Sequence, residues 1–281
     1  MGIVDTFKRS WELTKLSWHV LMQDKELLVF PVLSAIGAVA LFIGIVVPSF
    51  LVPFLNPESG AAVYYGGLIL WYFLTSFIAI FFQAALIACV KMRLHGGNPT
   101  IGYGLKEAGK RIIPIIGWSL ISATVGIILR ILSDQAKERG GIVGIVAQII
   151  LSIVGFAWAI VTMFMVPVIV LENQGVFASF KRSAELVKKT WGEQIVMTAG
   201  LGAVFMAAYV SIMVVCVLTV FVIPALLIPV VIFGFGLLAC TAVLQSTLSG
   251  VFNGILYAYA RGDKLPAEYK TVAAGAFTKK V

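Results

Sequence analysis

The groups with which a protein does acid–base, nucleophilic or metal chemistry are sparse in this chain: two His, three Cys and 13 Asp or Glu among 281 residues. Their spacing matters more than their number. His19 and His95 stand apart from the cysteines, and Cys89, Cys216 and Cys240 fall singly in long apolar runs, so neither metal-ligand spacing nor a disulfide framework is expected. No His-Glu metal motif, no aspartate pair and no serine with an embedded histidine to act as base occurs in those runs. The reading is therefore of a protein with no metal, no cofactor and no enzymatic activity. Four amides stand out in the apolar runs: Gln83, Gln148, Gln245 and Asn253. They suit either a polar path for a neutral solute or hydrogen bonds between helices.

The elements that must position these groups are written in the hydropathy. Sixty per cent of the residues are apolar and only 12% charged, and a helix needs about 20 apolar residues to cross a bilayer. Uncharged runs cover Leu27–Pro57, Ser59–Val90, Ile112–Leu129, Gly140–Leu171 and Ile195–Ala260, the last being long enough for two spans divided near Pro224 and Pro229. Backbone groups in lipid must be satisfied within their own segment, and the alternating signal of a barrel is absent. The expected fold is thus all-α and integral to the membrane, with six transmembrane helices in a single membrane domain over residues 1–281. No cleavable signal peptide is expected, because the first apolar run follows 26 residues of mixed charge. No charged residue falls within these runs, which argues against proton relays and voltage sensing, since both need ionisable groups inside the membrane.

The net charge of +8 is unevenly placed. Alternate inter-span segments hold 18 of the 21 Lys and Arg, so the positive-inside rule puts both termini, and the loops at residues 91–111 and 172–194, in the cytoplasm of a cell-membrane protein. The partner of this charge is read as the anionic inner leaflet, where each basic residue contributes about 1 kcal/mol. Interleaved Glu12, Glu107 and Glu185 argue against nucleic acid.

One charged phrase is written twice. "FKRSWELTKLSW" at Phe7–Trp18 and "FKRSAELVKKTW" at Phe180–Trp191 share Phe, Lys, Arg, Ser, Glu, Leu, Lys and Trp in register. At 100° per residue, Phe7, Trp11 and Trp18 share a stripe in the first copy, as do Phe180, Val187 and Trp191 in the second. These six are read as membrane-facing at the interface. Lys8, Arg9 and Lys15, with Lys181, Arg182, Lys188 and Lys189, are read as cytoplasmic basic residues. Two readings stand side by side: the helices lie in lipid, or they pack on the bundle. A third segment at Tyr103–Trp118, carrying Lys106, Lys110 and Arg111, has the same character. The chain therefore parses into three parallel repeats of amphipathic helix plus transmembrane hairpin, at about 1–95, 98–172 and 175–262, with a cytoplasmic tail at 263–281.

Small residues recur every four positions at Ala199, Ala203 and Ala207, and at Ser246, Gly250, Gly254 and Ala258. Such ladders let helices approach closely, either within the chain or between copies in a homo-oligomer or with a membrane partner. Gly234 and Gly236 mark the place for an irregular helix. Two functions follow from these features: a non-enzymatic protein that organises lipid or a partner, or a passive channel or transporter for a neutral or lipidic solute.

The stretch "RSWELTKLSWHVLMQDKELLVFPVLS", Arg9–Ser34, resembles an uncharacterised family of multi-pass membrane proteins of bacteria and archaea. That resemblance implies the topology and no activity. Less closely, amphipathic helix plus hairpin is similar to the membrane domains associated with some glycerophosphodiester phosphodiesterases, whose catalytic domain has no counterpart in these residues.

Overall fold

Each apolar run closes as helix because, in a medium without water, every backbone N–H needs a carbonyl one turn away. The computed structural model describes residues 15, 17–55 and 57–263, and the side chains of these outside 53–59 and 189–200. Helix α1 (17–23) leads through a 3-10 turn at Lys25–Leu28 into α2 (Val29–Leu41) and α3 (Val47–Leu55). There follow α4 (Pro57–Leu94), α5 (Ile101–Gly109), α6 (Ile112–Arg139), α7 (Gly141–Val161), α8 (Met165–Leu171), α9 (Val176–Val222) and α10 (Leu227–Arg261). Among the described residues, six stretches are long and apolar enough to cross a membrane: Lys25–Val52, Gly60–Leu94, Ile112–Arg139, Gly141–Leu171, Leu201–Val222 and Pro224–Arg261. The long last run does divide at Pro224, where a short 3-10 turn (Pro224–Leu226) separates α9 from α10.

The irregular helix lies elsewhere than expected. Helix α10 runs unbroken through Gly234 and Gly236, whereas the first span opens into a π turn at Phe42–Val46. Pro48 explains the position: it has no N–H to close an α turn onto Gly44, and the Val47 N–H reaches back to Phe42 instead. Gly234 serves close packing, since a Cβ there would stand 2.6 Å from Cys216 Sγ.

Helix α4 is the hub, packing against α2, α3, α5, α6, α8 and α10. The core concentrates at the end of the bundle that carries α5, the start of α9 and the basic loops, here called the basic end. Phe30, Leu86, Ile87, Ile115, Phe164, Ile169 and Tyr257 are all fully buried there. Toward the other end large apolar side chains face outward, as expected of a lipid-facing surface: Phe221 is 84% and Phe235 72% exposed.

The amphipathic segments seat differently. Helix α5 starts at a Thr100 cap, whose Oγ1 accepts from Tyr103 N at 3.2 Å. It docks through its small face: a Cβ on Gly104 would lie 2.8 Å from the Ala85 carbonyl and 2.7 Å from Phe30 Cζ. It stops before Pro114, which cannot donate back to Lys110. The third copy meets no proline between 176 and 222, so amphipathic segment and fifth span form one helix of 47 residues rather than two elements.

The start of α9 also has a task no helical wheel reveals. Between α7 and α8 the fourth span breaks at Thr162–Phe164, freeing backbone groups in an apolar setting. Ser183, fully buried, donates its Oγ–H to the Val161 carbonyl at 2.6 Å and accepts from Phe164 N–H at 3.2 Å. Replacing Ser183 with Ala strands both groups. The expected loss is about 2–3 kcal/mol in unfolding free energy, read as a lower midpoint in detergent denaturation, with Ser183→Thr retaining part of it. A wild-type midpoint for Ser183→Ala would refute the role.

Candidate ligand cavity in the span region

A cavity of about 670 Å3 opens among α4, α6, α7, α8, α9 and α10. Helix α4 supplies Gln83, α6 supplies Trp118 and Ser122, the break in the fourth span supplies Thr162 and Met163, and α10 supplies Gln245, Ser249, Phe252 and Asn253. The remaining wall, including Ile80, Phe156, Ile160, Val166 and Leu201, is apolar, and no charged residue lines the space among the described side chains. A volume in the range of about 300–1,000 Å3 with few polar groups is typical of small-molecule sites.

Three of the four amides singled out in the sequence thus meet in one place, and the fourth does not. Gln148 sits near the far turn of the α6–α7 hairpin, donating to the Ser133 carbonyl at 2.7 Å and to Ser133 Oγ at 3.1 Å. It clasps a hairpin and lines no path. Of the three in the cavity, Gln245 accepts at its amide oxygen from the Tyr209 hydroxyl at 2.7 Å. Gln83 and Asn253 have no hydrogen-bond partner among the described residues, and neither is among the sealed, unpaired buried groups. An amide left unpaired in an apolar wall is costly unless something enters to bond it. Gln83 and Ser249 also line an adjoining cavity of about 200 Å3 with Pro31, Ser34 and Gly250.

An aromatic path joins this cavity to the repeated phrase. Trp118 stacks on Trp158 with centroids 5.8 Å apart, and Trp158 meets Phe180 at 5.9 Å. Phe180 is 37% exposed, but Val187, expected to face the membrane, is buried at 6%. The buried face of this segment is Ser179, Ser183, Leu186 and Val187, rotated from the apolar stripe because the broken fourth span needs a hydroxyl. Trp18 is 45% exposed. Phe7, Lys8, Arg9 and Trp11 lie outside the described residues, as do the side chains of Lys189, Trp191 and Ala199.

At the basic end, Lys15, Lys106, Lys110, Lys181 and Lys188 are exposed, while Arg111 and Arg182 are half-buried. Glu185, spaced to pair with Lys181 or Lys188, lies instead 3.6 Å from Arg182. A junction missed in the sequence holds this end together. The Glu172 carboxylate accepts from Arg182 Nε at 3.2 Å, from the Tyr257 hydroxyl at 2.8 Å and from Gln174 Nε2 at 3.3 Å, joining α8, α9 and α10. Partial burial opposes the Arg182 charge, but the bonds to Glu172 and Glu185 outweigh it and raise the guanidinium above its usual value. The only signal was position, since Glu172 directly follows the fourth apolar run. Burial likewise pushes the Asp24 carboxyl up, opposed by Arg93, which donates to the Gln23 carbonyl at 2.8 Å and ties the first span to the second.

The small-residue ladders also separate. Gly250, Gly254 and Ala258 are buried and Ser246 is exposed; a Cβ on Gly250 would stand 2.3 Å from Leu86 Cδ2, and one on Gly254 2.7 Å from Val90 Cγ1. That ladder is spent inside the chain on α4. Ala203 and Ala207 on α9 are exposed. Among the described residues no three His, Cys, Asp or Glu side chains cluster to hold a metal.

Among the described residues, six helices long and apolar enough to cross a membrane, five of them lining an amide-bearing cavity, define a multi-pass membrane protein with a ligand-sized interior. The chain belongs to the family of unknown function DUF6159, whose model matches residues 62–266. The match begins beyond Arg9–Ser34, so membership is carried by the second to sixth spans. No curated protein and no solved structure matches the chain.

Proposed function

We propose that this protein is non-catalytic and holds a neutral, largely apolar molecule of the lipid class in its central cavity. The observation that carries the reading is the pair of unpartnered amides, Gln83 and Asn253, in an otherwise apolar space of about 670 Å3. With no charged residue in the wall among the described side chains, an ionic group would lose its hydration without compensation, whereas a hydroxyl, ester or amide would bond both side chains. Exposed Phe156 and Ala159 at the rim leave an entrance from the side of the bundle, where acyl chains would stand. In this reading the three amphipathic helix-plus-hairpin units form the bundle, with its basic end in the cytoplasm against anionic lipid.

Full-length protein purified in mild detergent is expected to retain a neutral lipid detectable by mass spectrometry after solvent extraction. Gln83→Leu with Asn253→Leu is expected to weaken retention about 30-fold, one net hydrogen bond per amide being roughly 1 kcal/mol. Equal retention by a double variant of unchanged melting temperature would overturn the reading. Passage of the molecule is a second reading, favoured by the adjoining cavity that shares Gln83 and Ser249. Its test is flux of a neutral amphiphile across proteoliposomes, lost in the same variant.

A further inference from the structure

We propose that the basic end carries a separate anion site, built by Lys91 and Arg111, that takes a phosphate group. It does not rest on the amide-lined cavity, with which it shares no residue. A cavity of about 420 Å3 lies between the end of α4, the outer side of α5 and the exit of α8, open at its rim. Lys91 enters it from α4 and Arg111 from the turn after α5, and neither side chain has an ion-pair or hydrogen-bond partner among the described residues. The carboxylate in the wall, Glu107, is engaged by Lys110 at 2.5 Å, so its charge is already answered and two cations remain in excess.

One neutral donor completes the rim. His95 commits its Nδ1–H to the Lys91 carbonyl at 2.8 Å, so the neutral ring keeps only an acceptor at Nε2 and the donor is the Tyr103 hydroxyl. Partial burial pushes the Tyr103 hydroxyl up, keeping it a protonated donor at neutral pH. The floor is apolar, formed by Ala88, Val170 and Leu171. Two uncompensated cations over an apolar floor at the mouth of a helix bundle suit a phosphate that is either free or attached to glycerol and acyl chains.

The test uses delipidated full-length protein and two probes. Phosphatidylglycerol binding is measured by native mass spectrometry in detergent, with phosphatidylcholine as the zwitterionic reference, and inorganic phosphate and glycerol phosphate are added as competitors. Lys91→Gln with Arg111→Gln is expected to weaken phosphatidylglycerol binding about 100-fold, two charge-assisted bonds being lost. Arg130→Gln with Arg139→Gln, equal in charge at the opposite end, is expected to change it less than about twofold. Lys91→Arg with Arg111→Lys keeps the charge and is expected to keep most of the binding, which guards against a folding artefact. Displacement by inorganic phosphate assigns the site to soluble phosphate, and displacement by neither competitor assigns it to the lipid headgroup. Equal losses in the two Gln pairs, or binding of neither phosphatidylglycerol nor inorganic phosphate, would overturn the proposal.

Discussion

Replacing Gly250 and Gly254 together with Leu is expected to abolish the folded protein rather than change its oligomeric size. Each glycine faces a fully buried side chain on α4, with Leu86 Cδ2 at 2.3 Å and Val90 Cγ1 at 2.7 Å from the Cβ it lacks. Even one added carbon forces a shift, and a leucine adds three more against a helix that itself packs on five others besides α10. Overpacking costs about 1–3 kcal/mol per site, and the two sites lie one turn apart on the same contact, so their effects compound. The measurement is size-exclusion profile and melting temperature in detergent. Aggregated or unrecoverable double variant, with Gly250→Ala intermediate, is the expected result. A monodisperse variant melting within a degree or two of wild type would refute the close approach of α10 to α4. An interface between copies through this ladder would have to use the face of Gly250 and Gly254 that α4 already fills.

The second large effect is expected at Glu172. Changing it to Leu leaves Arg182 and the buried Tyr257 hydroxyl without their shared acceptor and disconnects α8 from α9 and α10 at once. Arg182 is 30% exposed on its side chain and recovers part of its hydration, so the loss falls below that of a sealed ion pair, at about 2–4 kcal/mol. Glu172→Gln retains an acceptor for Tyr257 and loses only the charge, for which about half that loss is expected. A double-mutant cycle with Tyr257→Phe separates the hydroxyl bond from the ion pair: the coupling read from chemical denaturation should be about 1 kcal/mol or more. A coupling indistinguishable from zero would show that the two side chains do not meet.

Both sites show how far the amino-acid pattern reaches. Gly250 and Gly254 were visible as a ladder because small residues four apart share one helix face whatever that face meets. Whether it meets α4 or a second copy depends on which helices are neighbours, and helical periodicity carries no information about neighbours. Glu172 was visible only as a charge at the end of a run. Beside the neighbouring Gln174, the partners that join it to α9 and α10 stand 10 and 85 residues away, beyond any local pattern. The amides fall between these cases. All four were identifiable as unusual in apolar segments, yet Gln148 differs from Gln83 only in its depth along a hairpin and its nearness to Ser133.

The repeated phrase carries the sharpest lesson. Its apolar stripe suggested that Val187 would face lipid, because a wheel ranks faces by hydropathy alone. The folded chain turned the Ser179 and Ser183 face inward instead, and Ser183 answers the break at Thr162–Phe164, where a broken helix in an apolar setting needs a hydroxyl more than a methyl group. By itself the sequence determined the six apolar spans and the division of charge along the chain, because burying a backbone in lipid and keeping Lys and Arg in water are local requirements. Only the tertiary structure decided which small residues touch α4, which serine mends the fourth span and which amides share a cavity, because those outcomes depend on segments distant in sequence being brought together.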